Sequence, residues 1–356
     1  MRIISSIKPY VIVFSASACG LVLEIVAGRI LAPTIGVSLY TWTSIIGVVL
    51  AGISAGSYLG GRIADRFPSS TTLGFILLAG GISSLSVLPL VDLVSEAYSS
   101  LPIILRIVLV TSTLFFIPSV ILGMVTPMIV KLRLQDLAHT GNVVGRIYAI
   151  STAGAIFGVF ITGFVLIQWI GTRYIVLAVS LVLVLMALAF GRFSKHKIMG
   201  FVLIAIFAGI GSFSFITGTL QTYCDRESNY FCIMVVDENV DGHLVRTLVL
   251  DKLVHSYVDL DDPKFLAYGY EKVLADVATY VEQQDHKLRA LVIGGGGYTM
   301  PRFLETQYQL STVDVIEIDS EVTDVAFEYM GLPRDTKIIT YNQDARMVIP
   351  KLQDSQ

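Results

Sequence analysis

The chain has 356 residues, 54% of them hydrophobic, with 25 Lys and Arg against 28 Asp and Glu and a formal net charge of −3. That average conceals two populations. Residues 1–218 hold only five acidic residues (Glu24, Asp65, Asp92, Glu96, Asp136) and carry +8, while the remainder holds the other 23 and carries −11. The asymmetry argues against one uniform globular body. No basic patch with interleaved aromatics is present, which argues against a nucleic-acid partner, and no zinc-type cluster appears, so no metal is expected.

Seven apolar segments come first, at roughly Tyr10–Ile30, Thr41–Gly60, Thr72–Val91, Ile103–Val130, Tyr148–Ile170, Tyr174–Phe190 and Ile198–Gly218. Most approach or exceed the ~20 residues that a helix needs to cross a bilayer, which predicts an integral, multi-pass membrane domain over 1–218 with the lipid bilayer as its partner. The sixth segment is short, and the fourth is long and carries Pro118 and Pro127. The first segment is too long for the apolar region of a cleaved signal peptide.

Lys and Arg in the short loops set orientation. Ten fall on one side (Arg2, Lys8, Arg62, Arg66, Lys131, Arg133, Arg146, Arg192, Lys195, Lys197) and three on the other (Arg29, Arg106, Arg173). The N-terminus is therefore expected in the cytoplasm, with the cell inner membrane as the expected location. An odd number of spans would then place the tail outside, a strange place for a domain holding a cytosolic cofactor, so the side of the tail stays open at this point.

Gly52, Gly56 and Gly60 in the second segment, and Gly154 and Gly158 in the fifth, recur every four residues, the spacing that lets helix backbones approach closely. Glu24 is an ionisable group inside an apolar span, which marks either a pathway or a paired charge. Arg29, five residues on, could pair with it or snorkel to the interface. Gly60-Gly-Arg-Ile-Ala-Asp-Arg66 resembles the loop after the second helix of major facilitator transporters, where an acidic and a basic residue contact neighbouring helix ends. Seven spans cannot build the two halves of such a transporter.

The tail divides into 219–284 and 285–356. In the first part, Asn229–Val236 and Leu244–Leu250 read as the strands of a hairpin, with the turn over Asp237–Gly242 and Asp251–Tyr257 extending the small sheet. A helix is predicted over Pro263–Glu282 from apolar residues at helical spacing. Cys224 and Cys232 could pair only in an oxidising compartment, and Cys19 reads as a small packed residue.

The second part carries a nucleotide-binding pattern. Arg289–Ile293 is a buried-strand run, Gly294, Gly295, Gly296 and Gly297 turn the chain, and Met300–Thr306 opens a helix. A second strand over Val313–Ile318 closes with the acids Glu317 and Asp319, and Glu317 lies 20 residues after Gly297, where an acid can accept hydrogen bonds from ribose hydroxyls. Glu321–Met330 is a second helix and Lys337–Thr340 a third strand, followed by Asp344. The fold class is thus a multi-span α-helical membrane domain fused to a β-hairpin subdomain and an incomplete α/β Rossmann-like domain, with the third strand leaving an open edge.

With these residues in view, the tail resembles the spermidine synthase (polyamine aminopropyltransferase) family, and the whole chain its members with an N-terminal multi-span domain. The resemblance rests on Gly294–Gly297, Glu317 and Asp344, on Leu248-Val-Leu-Asp251 with His255, on Asp261 and Asp262, and on Tyr270-Glu271. It implies an S-adenosylmethionine-dependent methyltransferase-type fold and aminopropyl transfer from decarboxylated S-adenosylmethionine, or use of S-adenosylmethionine itself, toward a polyamine or other amine. Gly294–Gly297, Glu317 and Asp344 would hold the cofactor, His255, Tyr270 and Glu271 would border the acceptor, and a homodimer is possible. Three departures stand out. Gly297 replaces the Asp of the family's Gly-Gly-Gly-Asp-Gly loop, His255 stands where Gln is usual, and Gly269-Tyr270 replaces a Tyr-His or Tyr-Gln pair. The family's catalytic Asp follows a fourth strand, so no catalytic residue is named, and the chain reads as a fragment. The rival expectation is a transporter or sensor with a non-catalytic binding domain, or an inactive fragment.

Overall fold

The computed structural model describes residues 2–134, 140–193, 197–285 and 287–353. Asp136 and Lys195, used above for charge and orientation, lie outside the described residues. The chain divides into two compact units, Met1–Thr222 and Tyr223–Gln356.

In the first unit, seven helical stretches among the described residues are long and apolar enough to cross a membrane by length and composition. They comprise α1 (Arg2–Ile35), α2 (Leu39–Arg66), α3 (Ser70–Ala97), α4 (Ile103–Gly123) with α5 (Val125–Arg133), α6 (Thr140–Ile161) with a π turn (Thr162–Leu166) and α7 (Ile167–Ile170), α8 (Thr172–Phe190) and α9 (Lys197–Ile216). The starts of α2 and α3 use the same device. Ser38 accepts from Thr41 N–H at 3.1 Å and Ser69 from Thr72 N–H at 3.0 Å, each such cap being worth about 1 kcal/mol.

The predicted fourth segment is broken at Met124. Proline has no N–H to return to the fourth residue before it, so Pro127 leaves the Gly123 carbonyl without its helical donor. Ser57 Oγ of α2 reaches that oxygen at 3.5 Å.

The glycine repeats are where backbones meet. α2 packs on α4, and α1 on α6. A Cβ on Gly56 would lie 2.0 Å from the Val120 carbonyl oxygen, and one on Gly154 2.2 Å from that of Phe14. Gly56→Leu should therefore lower the detergent melting temperature, by a loss of roughly 1–3 kcal/mol or more. Gly61→Ala, which meets nothing within 4 Å, should be neutral or slightly stabilising. Equal melting temperatures for the two variants would contradict the packing described.

Asp65, in the transporter-like heptapeptide, takes a 2.7 Å ion pair from Lys131 at the end of α5. Glu24 and Arg29 are both partly buried.

The second unit holds two sheets. The first is antiparallel with order β1-β2-β3-β4, from β1 (Arg226–Glu227), β2 (Cys232–Val240), β3 (His243–Leu250) and β4 (Leu253–Asp259). β2 runs on through residues assigned above to the turn. Arg246 holds Asp237 at 3.1 Å and Thr247 holds Glu238 across the strands. The turn is only Asp241-Gly242, both with positive φ, as a two-residue hairpin requires. Cys224 and Cys232 form a disulfide, while Cys19 is a buried free thiol.

The second sheet is parallel with order β5-β6-β7, from β5 (Arg289–Ile293), β6 (Thr312–Ile316) and β7 (Ile339–Tyr341). β6 is central, so β5 as well as β7 lies at an edge, and Leu291 and Ile293 of β5 are exposed. Around the sheets lie α10 (Gly269–Asp285), α11 (Thr299–Gln307), α12 (Ser320–Glu328) and α13 (Ala345–Gln353). α10 starts six residues later than predicted, because Asp262–Phe265 forms a turn in which the Asp262 side chain accepts from Lys264 N–H at 3.0 Å.

Candidate functional site

The site is built where β5 and β6 end. Gly294 keeps the ladder through its N–H to Ile316 O at 2.8 Å, with φ at +90°. The chain then turns through Gly296 (φ +51°) and Tyr298 (φ +58°) into α11. Glu317, one residue past β6, is buried and fixes this turn. Its carboxylate accepts Gly295 N–H at 2.7 Å and Asp319 N–H at 2.9 Å, one on each oxygen. Each oxygen keeps a lone pair for another donor. From the first sheet, Ser256 Oγ accepts Gly297 N–H at 2.8 Å.

Asp319, beside Glu317, caps α12 through Glu321 N–H and receives Ser228 Oγ–H at 2.5 Å. Burial pushes its carboxyl up, opposed by the Ser228 hydrogen bond.

Gly294, Gly295, Gly296, Glu317, His255, Tyr270 and Glu271 all line one cleft of about 750 Å³. The glycine loop and Glu317, just past β6, are among its polar lining. α10 contributes Tyr270 and Glu271, followed by the apolar Leu274, Val277 and Val281. Glu271 is buried; its carboxylate accepts Tyr268 N–H at 3.3 Å, and burial raises its pKa above the ordinary carboxylate range. Burial lowers the pKa of His255 below the ordinary imidazole value, although Asp251 and Glu317 act the other way. His255 and Glu271 thus face the same space.

Two predicted residues stand apart from the lining. Gly297 lies under Ser256. Asp344 sits at the same carboxyl end of the sheet but is gripped by Arg346, with Nη2 to Oδ2 at 2.6 Å, and it caps α13 through Arg346 N–H at 2.9 Å. That hydrogen bonding lowers its pKa to about 2.

No protein-family model matches the chain. Similar proteins are nonetheless found over most of its length. It is 22% identical to a polyamine aminopropyltransferase of Leptospira interrogans serogroup Icterohaemorrhagiae serovar copenhageni, over 94% of this chain and 68% of the relative. It is 24% identical to a polyamine aminopropyltransferase of Corynebacterium efficiens, over 92% and 64%. The chain is spermidine synthase-like.

It is also 28% identical to polyamine aminopropyltransferase 2 of Ralstonia nicotianae, over 40% of this chain and only 27% of that relative's length. A crystal structure of a probable spermidine synthase from Corynebacterium glutamicum matches with 26% identity and a TM-score of 0.32, over 35% of this chain and 45% of that one.

The departures of this spermidine synthase-like loop have a steric cause. A Cβ on Gly297 would lie 2.8 Å from Ser256 Cβ and 3.1 Å from Met330 Cε, so the loop as folded has no room for the family's aspartate. The next position, glycine in the family pattern, is Tyr298. It takes the left-handed backbone and buries its ring completely, with its hydroxyl 3.1 Å from both Thr323 Oγ1 and Thr340 Oγ1. Sequence reasoning missed Ser256 and Tyr298. Tyr298 could have been found from its place in the loop, but Ser256 leaves no local signal.

Asp259 was missed too. Its Oδ1 accepts the backbone N–H groups of Asp261 and Asp262 at 2.8 and 3.0 Å, and His243 Nδ1 lies 2.7 Å from its Oδ2. Asp261 and Asp262 are therefore placed by their backbone, in a turn that leads toward α10.

Proposed function

We propose that the cleft binds decarboxylated S-adenosylmethionine and that the protein transfers its aminopropyl group to an amine, as the names of its relatives suggest for them. The supporting observation is the convergence of the glycine loop, Glu317, His255 and Glu271 on one cleft. Gly294 and Gly296, with positive φ and no side chain, let a ligand approach the backbone, and the free lone pairs of Glu317 suit ribose hydroxyls. In the reaction, the amine nitrogen bonds to the carbon next to sulfonium, the carbon–sulfur bond breaks with its electrons going to sulfur, and the nitrogen loses a proton. The amine must be neutral to attack. His255 and Glu271 border the place where it would sit, and a neutral His255 can accept its proton. Asp344 would approach the adenine only by releasing Arg346.

The test is calorimetric titration of the detergent-purified chain with S-adenosylmethionine and its decarboxylated form. Saturable binding of the decarboxylated form, reduced in His255→Ala only when an amine acceptor is also present, is the expected result. No heat with either compound would count against the reading.

We further propose that the first unit spans a membrane and that the second faces the non-cytoplasmic side. Outward-facing Trp169, Phe164, Phe201 and Ile198 suit lipid contact. Seven spans from a cytoplasmic N-terminus end outside, and the Cys224–Cys232 disulfide suits an oxidising compartment. In cells carrying a Cys19→Ser chain, quenched with N-ethylmaleimide and then denatured, polyethylene-glycol maleimide should add two labels only after reduction. Full alkylation of Cys224 and Cys232 before reduction would place the unit on the reducing side.

A further inference from the structure

A second cavity, of about 310 Å³, lies within the helical unit between two closely packed helix pairs, α1 with α6 and α2 with α4–α5. Hydroxyl groups line it: Ser17, Ser57, Ser119, Thr126, Ser151 and Thr152, with the exposed Tyr148 beside them. Ser17 and Ser151 bridge α1 and α6 at 2.7 Å. The wall includes Gly123, whose carbonyl Pro127 deprives of its helical donor. A broken helix at the depth of a span is tolerated where it lines a cavity, and the only donor to the Gly123 carbonyl among the described residues is Ser57 Oγ, at 3.5 Å.

Among the described residues, no Lys or Arg lines this space. Glu24 is three and four residues from the lining Leu21 and Gly20 and seven from Ser17, so it lies on the same face of α1, one turn along. An anion finds no counter-charge here. A ligand rich in donors and carrying positive charge finds hydroxyl oxygens and Tyr148 in the lining, with the Glu24 carboxylate one helical turn beyond it. The volume exceeds a bare ion and falls at the small end of organic ligand sites.

We propose that this cavity binds a small aliphatic ammonium compound, with the hydroxyls and the Gly123 carbonyl accepting its N–H groups and Glu24 supplying the counter-charge. This cavity belongs to the helical unit alone, and its binding does not depend on the chemistry proposed for the cleft.

The test uses the full chain in lipid nanodiscs with radiolabelled putrescine as probe and butanediol as its uncharged counterpart. Glu24→Gln and Ser151→Leu should each weaken putrescine binding by about tenfold or more. Glu317→Ala, which alters the other unit's cleft, should leave this binding component intact. Thr152→Val, which removes a hydroxyl at nearly constant volume, should weaken binding several-fold and serves if Ser151→Leu does not fold. Unchanged affinity in folded Glu24→Gln and Thr152→Val, butanediol binding as tightly as putrescine, or loss of the signal in Glu317→Ala alone would each overturn the proposal. Displacement of putrescine by millimolar sodium would likewise overturn it, since it would assign the site to a metal cation.

Discussion

Glu317→Ala is expected to abolish nucleotide binding and also to destabilise the second unit, two effects that come from the same carboxylate. Its two oxygens hold the N–H groups of Gly295 and Asp319, and the side chain is 7% exposed. Alanine leaves both amides without their acceptor. Each buried donor so orphaned costs about 1–3 kcal/mol, so a loss near 3 kcal/mol in urea unfolding is expected even with partial access of water. Glu317→Gln gives a sharper comparison. Its carbonyl can serve one N–H, but its amide then faces the other donor to donor, so most of the loss should persist despite the matched shape. Calorimetry on both variants checks the first effect and denaturation the second. Wild-type affinity in Glu317→Ala would remove this residue from the site, whatever the stability shows.

Some of this arrangement was legible in the sequence and some was not, for physical reasons. Hydropathy marks the seven long helices because length and apolar content are local properties. The break between α4 and α5 follows from Pro127, although Pro118, equally visible, sits inside α4 without ending it. The strand Arg289–Ile293 was found with its observed ends, since an apolar run bounded by a charged residue and a glycine has few other readings, but it was read as buried and its Arg289, Leu291 and Ile293 are exposed because β5 lies at an edge.

The hairpin turn was misplaced because Asp237, Glu238 and Asn239 look like turn residues. They are instead the exposed end of β2, held by side chains from β3 that no local pattern predicts. α13 was not anticipated at all, being short, carrying Pro350 and offering only the cap at Asp344 as a start signal. In the site, Glu317 was legible from its spacing. Its service to the loop backbone was not, because that depends on β5 and β6 pairing in parallel, with Ile293 opposite Ile316. The disulfide lay beyond reach for a similar reason: eight residues between two cysteines fix neither their distance nor their compartment.

Tyr298 carries the largest expected effect on stability. Its ring is fully buried and packs over Gly295, where a Cβ would lie 2.6 Å from the ring. Its hydroxyl lies between Thr323 of α12 and Thr340 of β7. Tyr298→Phe keeps the ring and loses the hydroxyl bonds, so a cost of about 1 kcal/mol is expected. Tyr298→Ala empties the ring's volume in the core, which for an aromatic costs about 3–5 kcal/mol. Tyr298→Gly removes still more, yet the backbone here has φ +58°, a conformation that costs residues with a Cβ about 1–2 kcal/mol and glycine little. Glycine should therefore be less damaging than alanine by about 1 kcal/mol, the reverse of the order in an ordinary helix. Urea midpoints of the three variants measure this directly. If alanine proved the more stable of the two, the left-handed turn into α11 would be wrong, and with it the geometry that aims the loop amides at Glu317 and Ser256.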